Sequence, residues 1–288
     1  VCERLLAVQA QDPRGFRLAV RARSTLTSRR DVDARLDDGT LVVSWLNRGT
    51  LHLVTAEDYW LLHPLTAPRI STGNLTRLRQ EGVSGVERGV DAIVRALVDG
   101  PLGRRELREV VARAGVRVEG QALVHVLVRA TVLGHIVRGP VRGAEQAYVL
   151  VRDWLPAPPV PFDRDKALAE CARRYLVGHA PADPADFAKW LGVSLGDARR
   201  AFSAITPPRA RRAAVPPPRL LGAFDPVLCG WTSRAWVLGD GERQVVQGGM
   251  FRQFALVDGG YGGVWRYERG RVSGVSLDDA AAVEAFLE

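Results

Sequence analysis

Lysine is almost missing from this chain: Lys166 and Lys189 are the only two, and nearly all of the 40 basic side chains are arginine. Cysteine is scarce as well. Cys2, Cys171 and Cys229 are odd in number, far apart and without metal-ligand spacing, which argues against a disulfide scaffold or a zinc knuckle and leaves ordinary reduced thiols. No apolar run approaches the eighteen or so residues of a membrane span. No basic, apolar and small-residue signal opens the sequence either, so a cytoplasmic protein without a membrane role is expected. A starting methionine is also lacking; the chain opens on Val1, inside what reads as a helix already under way, and a preceding segment is expected. With no metal-ligand cluster and no cofactor motif, the expectation is work without metal or cofactor.

What is present is a chain of 288 residues, 47% hydrophobic, with a net charge of +8. That is enough apolar material for one large or two to four small domains. The positive charge suggests a polyanion partner, since arginines that neutralise phosphates release counterions; a basic protein without such a partner is the lesser alternative.

In chain order, Phe16 to Arg23 has helical spacing and Ser28 can cap a helix through Leu36. Thr40 to Leu46 and Thr50 to Val54 read as strands joined by the turn Asn47-Arg48-Gly49, and Thr55 with Asp58 caps the helix that follows. Ser84 with Glu87 reads as a capping box for a stripe from Val90 to Val98. Helices over Arg104 to Arg113 and Gly120 to Leu133 follow, the latter leaving His125 and Arg129 outward, and then a strand, a tip over Gly139 to Gly143 that includes Arg142, and a second strand. Three helices and a glycine-tipped hairpin are the order of a winged helix. A proline-rich linker at 153–163 leads to helices at Asp165 to Val177, Pro184 to Leu191 and Leu195 to Ile205, with Asp183 and Ser194 as caps. In place of a third wing stands the proline- and arginine-rich stretch from Thr206 to Arg219. The last block reads as a small antiparallel sheet, with a closing helix capped by Ser276 and Asp279.

The stretch with most to say about function is Val8-Gln9-Ala10-Gln11-Asp12-Pro13. Pro13 biases Asp12 away from helical angles, so the helix carrying Glu3 to Val8 is expected to fail at or near the glutamines. On an intact helix, side chains two apart diverge by about 200°, whereas extended backbone presents both to one side. A carboxamide pair at a failing helix end is either a cap or a device for holding water. Asp12 either supplies a carboxylate or caps the next turn.

Leu6-Ala7-Val8-Gln9-Ala10-Gln11-Asp12-Pro13, Arg48-Gly49-Thr50-Leu51-His52-Leu53, Leu221-Gly222-Ala223-Phe224-Asp225-Pro226 and Phe254-Ala255-Leu256-Val257-Asp258-Gly259, with Trp265 behind the last, occur in this order. Together they resemble the AlkZ-like family of winged-helix DNA glycosylases, which includes the YcaQ-type enzymes. Glutamine rather than aspartate at position 11 places the chain on the AlkZ-like side.

The resemblance implies an α+β protein of tandem winged-helix modules, three in number with the third wing shortened, plus a C-terminal antiparallel β-rich subdomain, around a concave DNA-binding channel. The expected divisions are 1–82 with the paired glutamines, 83–152, the linker 153–163, 164–218 and 219–288. It implies a monomeric, monofunctional glycosylase that hydrolyses the N-glycosidic bond of N7-alkylated purines in double-stranded DNA, interstrand crosslinks among them. Gln9 and Gln11 match the catalytic pair. Thr50 and His52, two apart on a strand, share a face; with Arg48, Arg129 and Arg142 they are the candidate DNA contacts, His52 being equally readable as a histidine bonded to backbone. Lysine scarcity argues against a Schiff-base lyase step. The competing reading is a non-catalytic winged-helix DNA binder, a regulator or a lesion- or toxin-binding relative, which would select sequence and present half-sites.

Overall fold

The computed structural model describes residues 1–288 except Thr27, Ala144, Val160 and residues 209–213. It is a mixed α and β chain with antiparallel sheets. Two compact units emerge: one formed by Val1–Ala34, Leu168–Trp190 and Ser194–Glu288, the other by Arg35–Ala167 and Leu191–Val193.

In the first unit the opening helix, Cys2–Leu5, is shorter than expected. It stops because Leu6 turns to φ +67°, after which Val8–Gln9 is extended and the helix Pro13–Arg21 begins. Leu6 is fully buried, so packing holds a conformation that leucine otherwise avoids. The helices Pro184–Leu191 and Leu195–Ser203 form behind the expected caps, and Arg164–His179, which enters this unit at Leu168, forms close to its expected bounds. Asp183 Oδ1 accepts from the amides of Ala185 and Asp186 at 2.7 and 2.9 Å, and Ser194 Oγ from Asp197 at 3.0 Å. Residues 209–213 of the proline- and arginine-rich connection lie outside the described residues, as does Val160 of the linker.

The C-terminal block is more divided than one small sheet. Gly260–Val264, Phe254–Val257 and Arg219–Leu221 make a three-stranded sheet, while Val246–Gln247 with Met250–Phe251 and Arg266–Glu268 with Arg271–Ser273 make separate hairpins. Leu221, Phe224, Leu228, Val237 and Phe254 form its core. The final helix, Asp279–Leu287, has no side-chain cap, contrary to the expected Ser276 and Asp279 pair. The Asp279 carboxylate is used elsewhere: it takes both terminal nitrogens of Arg21, at 2.7 and 3.1 Å, and the amide of Leu220 at 2.8 Å.

The second unit contains the two hairpins. Leu41–Leu46 pairs with Thr50–Thr55 through the expected Asn47-Arg48-Gly49 turn, and Ile136–Arg142 pairs with Glu145–Leu150. Val43 opposite Arg138 joins them into one antiparallel sheet. Arg138 lies between the rings of Trp45 and Tyr148, at 4.9 and 5.1 Å from their centroids. The Thr55 hydroxyl caps the next helix by accepting from Asp58 at 3.1 Å. That helix, Ala56–Gln80, runs for 25 residues through Pro64 and Pro68 and packs against Ala122–Val132. The helix Val86–Ala96 starts after Gly85 without a side-chain cap, so the Ser84 and Glu87 box does not form. Instead, the Glu87 carboxylate lies 3.7 Å from Arg129.

Candidate active site

The two glutamines stand outside any helix. Gln9 ends the short extended segment and is buried; Gln11 is in a bend and exposed. The backbone on either side is held tightly. On one side is the left-handed turn at Leu6. On the other, Asp12 caps the next helix, its Oδ1 accepting from Gly15 at 2.5 Å, with Pro13 as the first helical residue. Asp12 is therefore a cap. Arg17, buried in the same helix, donates to the Pro13 carbonyl and to Asp33, both at 2.6 Å.

The Leu221–Pro226 block explains itself at this point. A Cβ on Gly222 would lie 2.7 Å from Gly15 Cα, so glycine at both positions lets the two backbones touch. Asp225 is completely buried, caps the short helix Pro226–Cys229 through Val227 at 3.0 Å, and takes both terminal nitrogens of Arg23 at 2.6 and 2.9 Å. That helix packs against Val8–Gln9. Through these contacts the block holds the chain segment that carries the glutamines.

The other candidates lie in the second unit. His52 is buried, with Nδ1 2.9 Å from the Thr50 carbonyl of its own strand. Burial pushes its pKa down to about 4, against the stabilising Thr50 carbonyl and with some help from Arg48, so it is neutral at pH 7. His179, stacked on Tyr175 in the first unit, is likewise pushed down to about 4 by burial. Since both folded values lie below the unfolded value near 6.5, the unfolded chain takes up these protons first. Stability is then expected to be fully present above about pH 6.5 and to decline towards pH 4, by at most roughly 3 kcal/mol for each histidine. Urea midpoints across this range check it, and His52→Asn should flatten the decline.

Thr50 Oγ1 is enclosed with no hydrogen-bond partner among the described residues. Arg129 points inward enough to be 15% exposed, and donates to Ser71 Oγ at 2.9 Å. Arg142, at the hairpin tip, is 54% exposed and 4.0 Å from Glu106. Arg48 lines a pocket of about 490 Å³ with Asn47, Arg69, Asn74 and Arg77, residues to which the motif blocks drew no attention beyond Arg48 itself. No group of three or more acidic, histidine or cysteine side chains able to hold a metal ion occurs among the described residues.

Residues 2–285 match the family described as DNA glycosylase AlkZ-like. The interstrand DNA cross-link repair glycosylase of Streptomyces sahachiroi is 29% identical over 307 aligned positions, covering 92% of this chain and 81% of that protein. A solved structure, Streptomyces sahachiroi DNA glycosylase AlkZ, is similar with a TM-score of 0.73, covering 99% of this chain and 89% of its own at 23% identity, a likeness that bears on fold alone. With the match spanning nearly the whole sequence, the chain belongs to the AlkZ-like DNA glycosylase family.

Proposed function

We propose that this DNA glycosylase hydrolyses the N-glycosidic bond of N7-alkylated purines in double-stranded DNA, including purines joined in interstrand crosslinks, with Gln9 and Gln11 positioning water and the deoxyribose. The observation that carries the reading is the state of the glutamines: off any helix, one buried and one exposed, on a segment clamped from both sides. The name of the relative from Streptomyces sahachiroi supports the crosslink as a substrate.

An N7-alkylpurine already carries a positive charge. When the C1′–N9 bond breaks, its electron pair stays with the base, which leaves neutral without help from an acid. The charge passes to the sugar as an oxocarbenium-like species; water oxygen then bonds to C1′, and one water proton is released to solvent. What the protein must supply is placement and oriented dipoles. Carboxamides suit this, because each offers an acceptor oxygen and two donors without a formal charge that would have to be buried.

The three tandem winged-helix modules, the first winged-helix-like one within 1–82, the second at 83–152 and the third, with a shortened wing, at 164–218, are proposed to hold the duplex, the enzyme acting as a monomer. Arg48 and Arg142 meet phosphates. Thr50 and His52 shape the strand behind Arg48, and Arg129 acts through Ser71 and Glu87.

A duplex bearing N7-methylguanine, assayed beside a crosslinked duplex, tests this. Release of the alkylated base should leave an abasic site whose strand breaks only on added alkali. Loss of no base from either duplex would sink the reading. Strand breakage without alkali would overturn its monofunctional part.

A further inference from the structure

Asn47 and Asn74 are the only two asparagines in the chain, and both line the same pocket of the second unit. Neither carboxamide is satisfied. Asn47 is completely buried, and neither its Nδ2 nor its Oδ1 has a hydrogen-bond partner among the described residues. Asn74 is 5% exposed; its Nδ2 donates to the His125 carbonyl at 3.0 Å while its Oδ1 has none. Enclosed amide atoms left without partners are costly, and they concentrate where something else is meant to bond them. Local structure accounts for little of this. Asn47 sits in the left-handed region at φ +53°, which asparagine tolerates, but a turn does not require its carboxamide to be buried. Asn74 lies deep in a 25-residue helix, where asparagine is a poor choice.

His125 also lines the pocket, and most of the remaining walls sort into two kinds. Arg48 from the turn, and Arg69 and Arg77 from the long helix, bring positive charge, and none of the described lining residues is acidic. Arg69 and Arg77 each spend one terminal nitrogen, on the Gly192 carbonyl at 2.9 Å and on Gln80 at 3.1 Å, which leaves further N–H groups on each guanidinium. Trp45, Ile70, Val124 and Val128 supply flat and apolar surface. Positions 69, 70, 73, 74 and 77 recur at helical spacing, so one face of the helix forms one wall. At its middle, Gly73 leaves open space: a Cβ there would meet no atom within 4 Å.

We propose that this pocket binds one nucleotide unit, with the carboxamides of Asn47 and Asn74 reading the edge of a nucleobase and the guanidinium groups of Arg48, Arg69 and Arg77 holding its phosphate. A carboxamide matches adjacent donor and acceptor atoms on a base edge, and guanidinium matches phosphate oxygens. The volume of about 490 Å³ lies in the range of small-ligand pockets. The inference rests on the glycosylase reading only for the source of the nucleotide, a DNA strand; the chemistry of the pocket does not depend on it.

Calorimetric titration of the full chain with dAMP, dGMP, deoxyadenosine, inorganic phosphate and a single-stranded pentanucleotide tests this. One saturable site for a mononucleotide or the pentanucleotide is expected, with phosphate or nucleoside alone binding at least tenfold more weakly. Competition between the mononucleotide and the pentanucleotide assigns the site to a DNA strand; a mononucleotide that binds without such competition assigns it to a free nucleotide. Asn47→Ala and Asn74→Ala should each weaken binding about tenfold. Because those variants change buried positions, Gly73→Leu is the stronger test: its Cβ enters open space on the helix face that walls the pocket, so the fold should be kept and binding lost. Absence of saturable binding by any nucleotide probe, binding as tight to phosphate alone, or unchanged binding in Gly73→Leu would each overturn the proposal. The Gln9→Ala, Gln11→Ala protein should bind the nucleotide as the native chain does, so failure of the pocket and failure of the excision reading are separable.

Discussion

Protein carrying both Gln9→Ala and Gln11→Ala is expected to lose excision of N7-methylguanine while keeping its affinity for undamaged duplex within a few-fold. Deleting one group positioned for a transition state costs roughly 10²–10³ in rate. Two groups that hold the same water act as a unit, so each single variant should fall nearly as far as the pair and the losses should not multiply. Single-turnover rates on saturating enzyme separate the chemical step from binding, and fluorescence anisotropy reads the duplex affinity. Gln9 is buried and Gln11 exposed, so the single variants also differ in what they risk structurally. Gln11→Ala removes an exposed side chain and should leave the unfolding temperature unchanged. Excision within threefold of native in the double variant would remove the assigned roles altogether.

Arg23→Met should be among the most destabilising single changes in the first unit. Asp225 has no exposed surface, and Arg23 is the cation that meets both of its carboxylate oxygens. Removing one partner of a buried pair typically costs about 3–5 kcal/mol, because the remaining charge stays desolvated. Arg23 itself is 27% exposed in its side chain, so water softens the loss and the lower end applies. For a chain of this size that corresponds to a fall in unfolding temperature of roughly 6–12 °C. Asp225→Asn should cost less, since a neutral amide oxygen can still accept from Val227 and the Arg23 charge left behind is partly exposed and keeps its bond to the Ala19 carbonyl. Because the segment packs against Val8–Gln9, Arg23→Met is also expected to lower excision below what its unfolded fraction explains. An unfolding temperature within about 2 °C of native would show that the pair contributes little.

Much of the fold could be read from local chemistry. The Asn47-Arg48-Gly49 hairpin, the caps at Thr55, Asp183 and Ser194, and the order of three helices and a hairpin all follow from residues a few positions apart. Where the reading failed, a distant partner had claimed the residue. Asp279 looks like a cap, but Arg21 bonds it across 258 positions; Glu87 looks like half of a capping box, but Arg129 draws it away. Leu6 carries no local signal for a left-handed turn, and the first helix therefore ends earlier than Pro13 alone suggests. Of the candidate site, the paired glutamines were visible as a motif, and what the structure adds is their backbone, extended and then bent. The burial of His52 was not legible, because alternation along a strand says which residues share a face but not whether that face meets solvent. The pocket around Asn74 was invisible for another reason: its walls come from the end of a strand, a turn and two helices that are far apart in the chain.

The clamp on the glutamine segment also sets a clock. Arg23 and Asp225 are 202 positions apart, and the Gly15 and Gly222 backbones meet across a similar stretch of chain. At synthesis rates of roughly 5–20 residues per second, the glutamines leave the ribosome some 10–40 s before the residues that lock them in place. A nascent chain that stops short of residue 222 thus carries both glutamines without the clamp that holds their segment. The glutamine segment therefore takes its held shape only after residue 225 has been made.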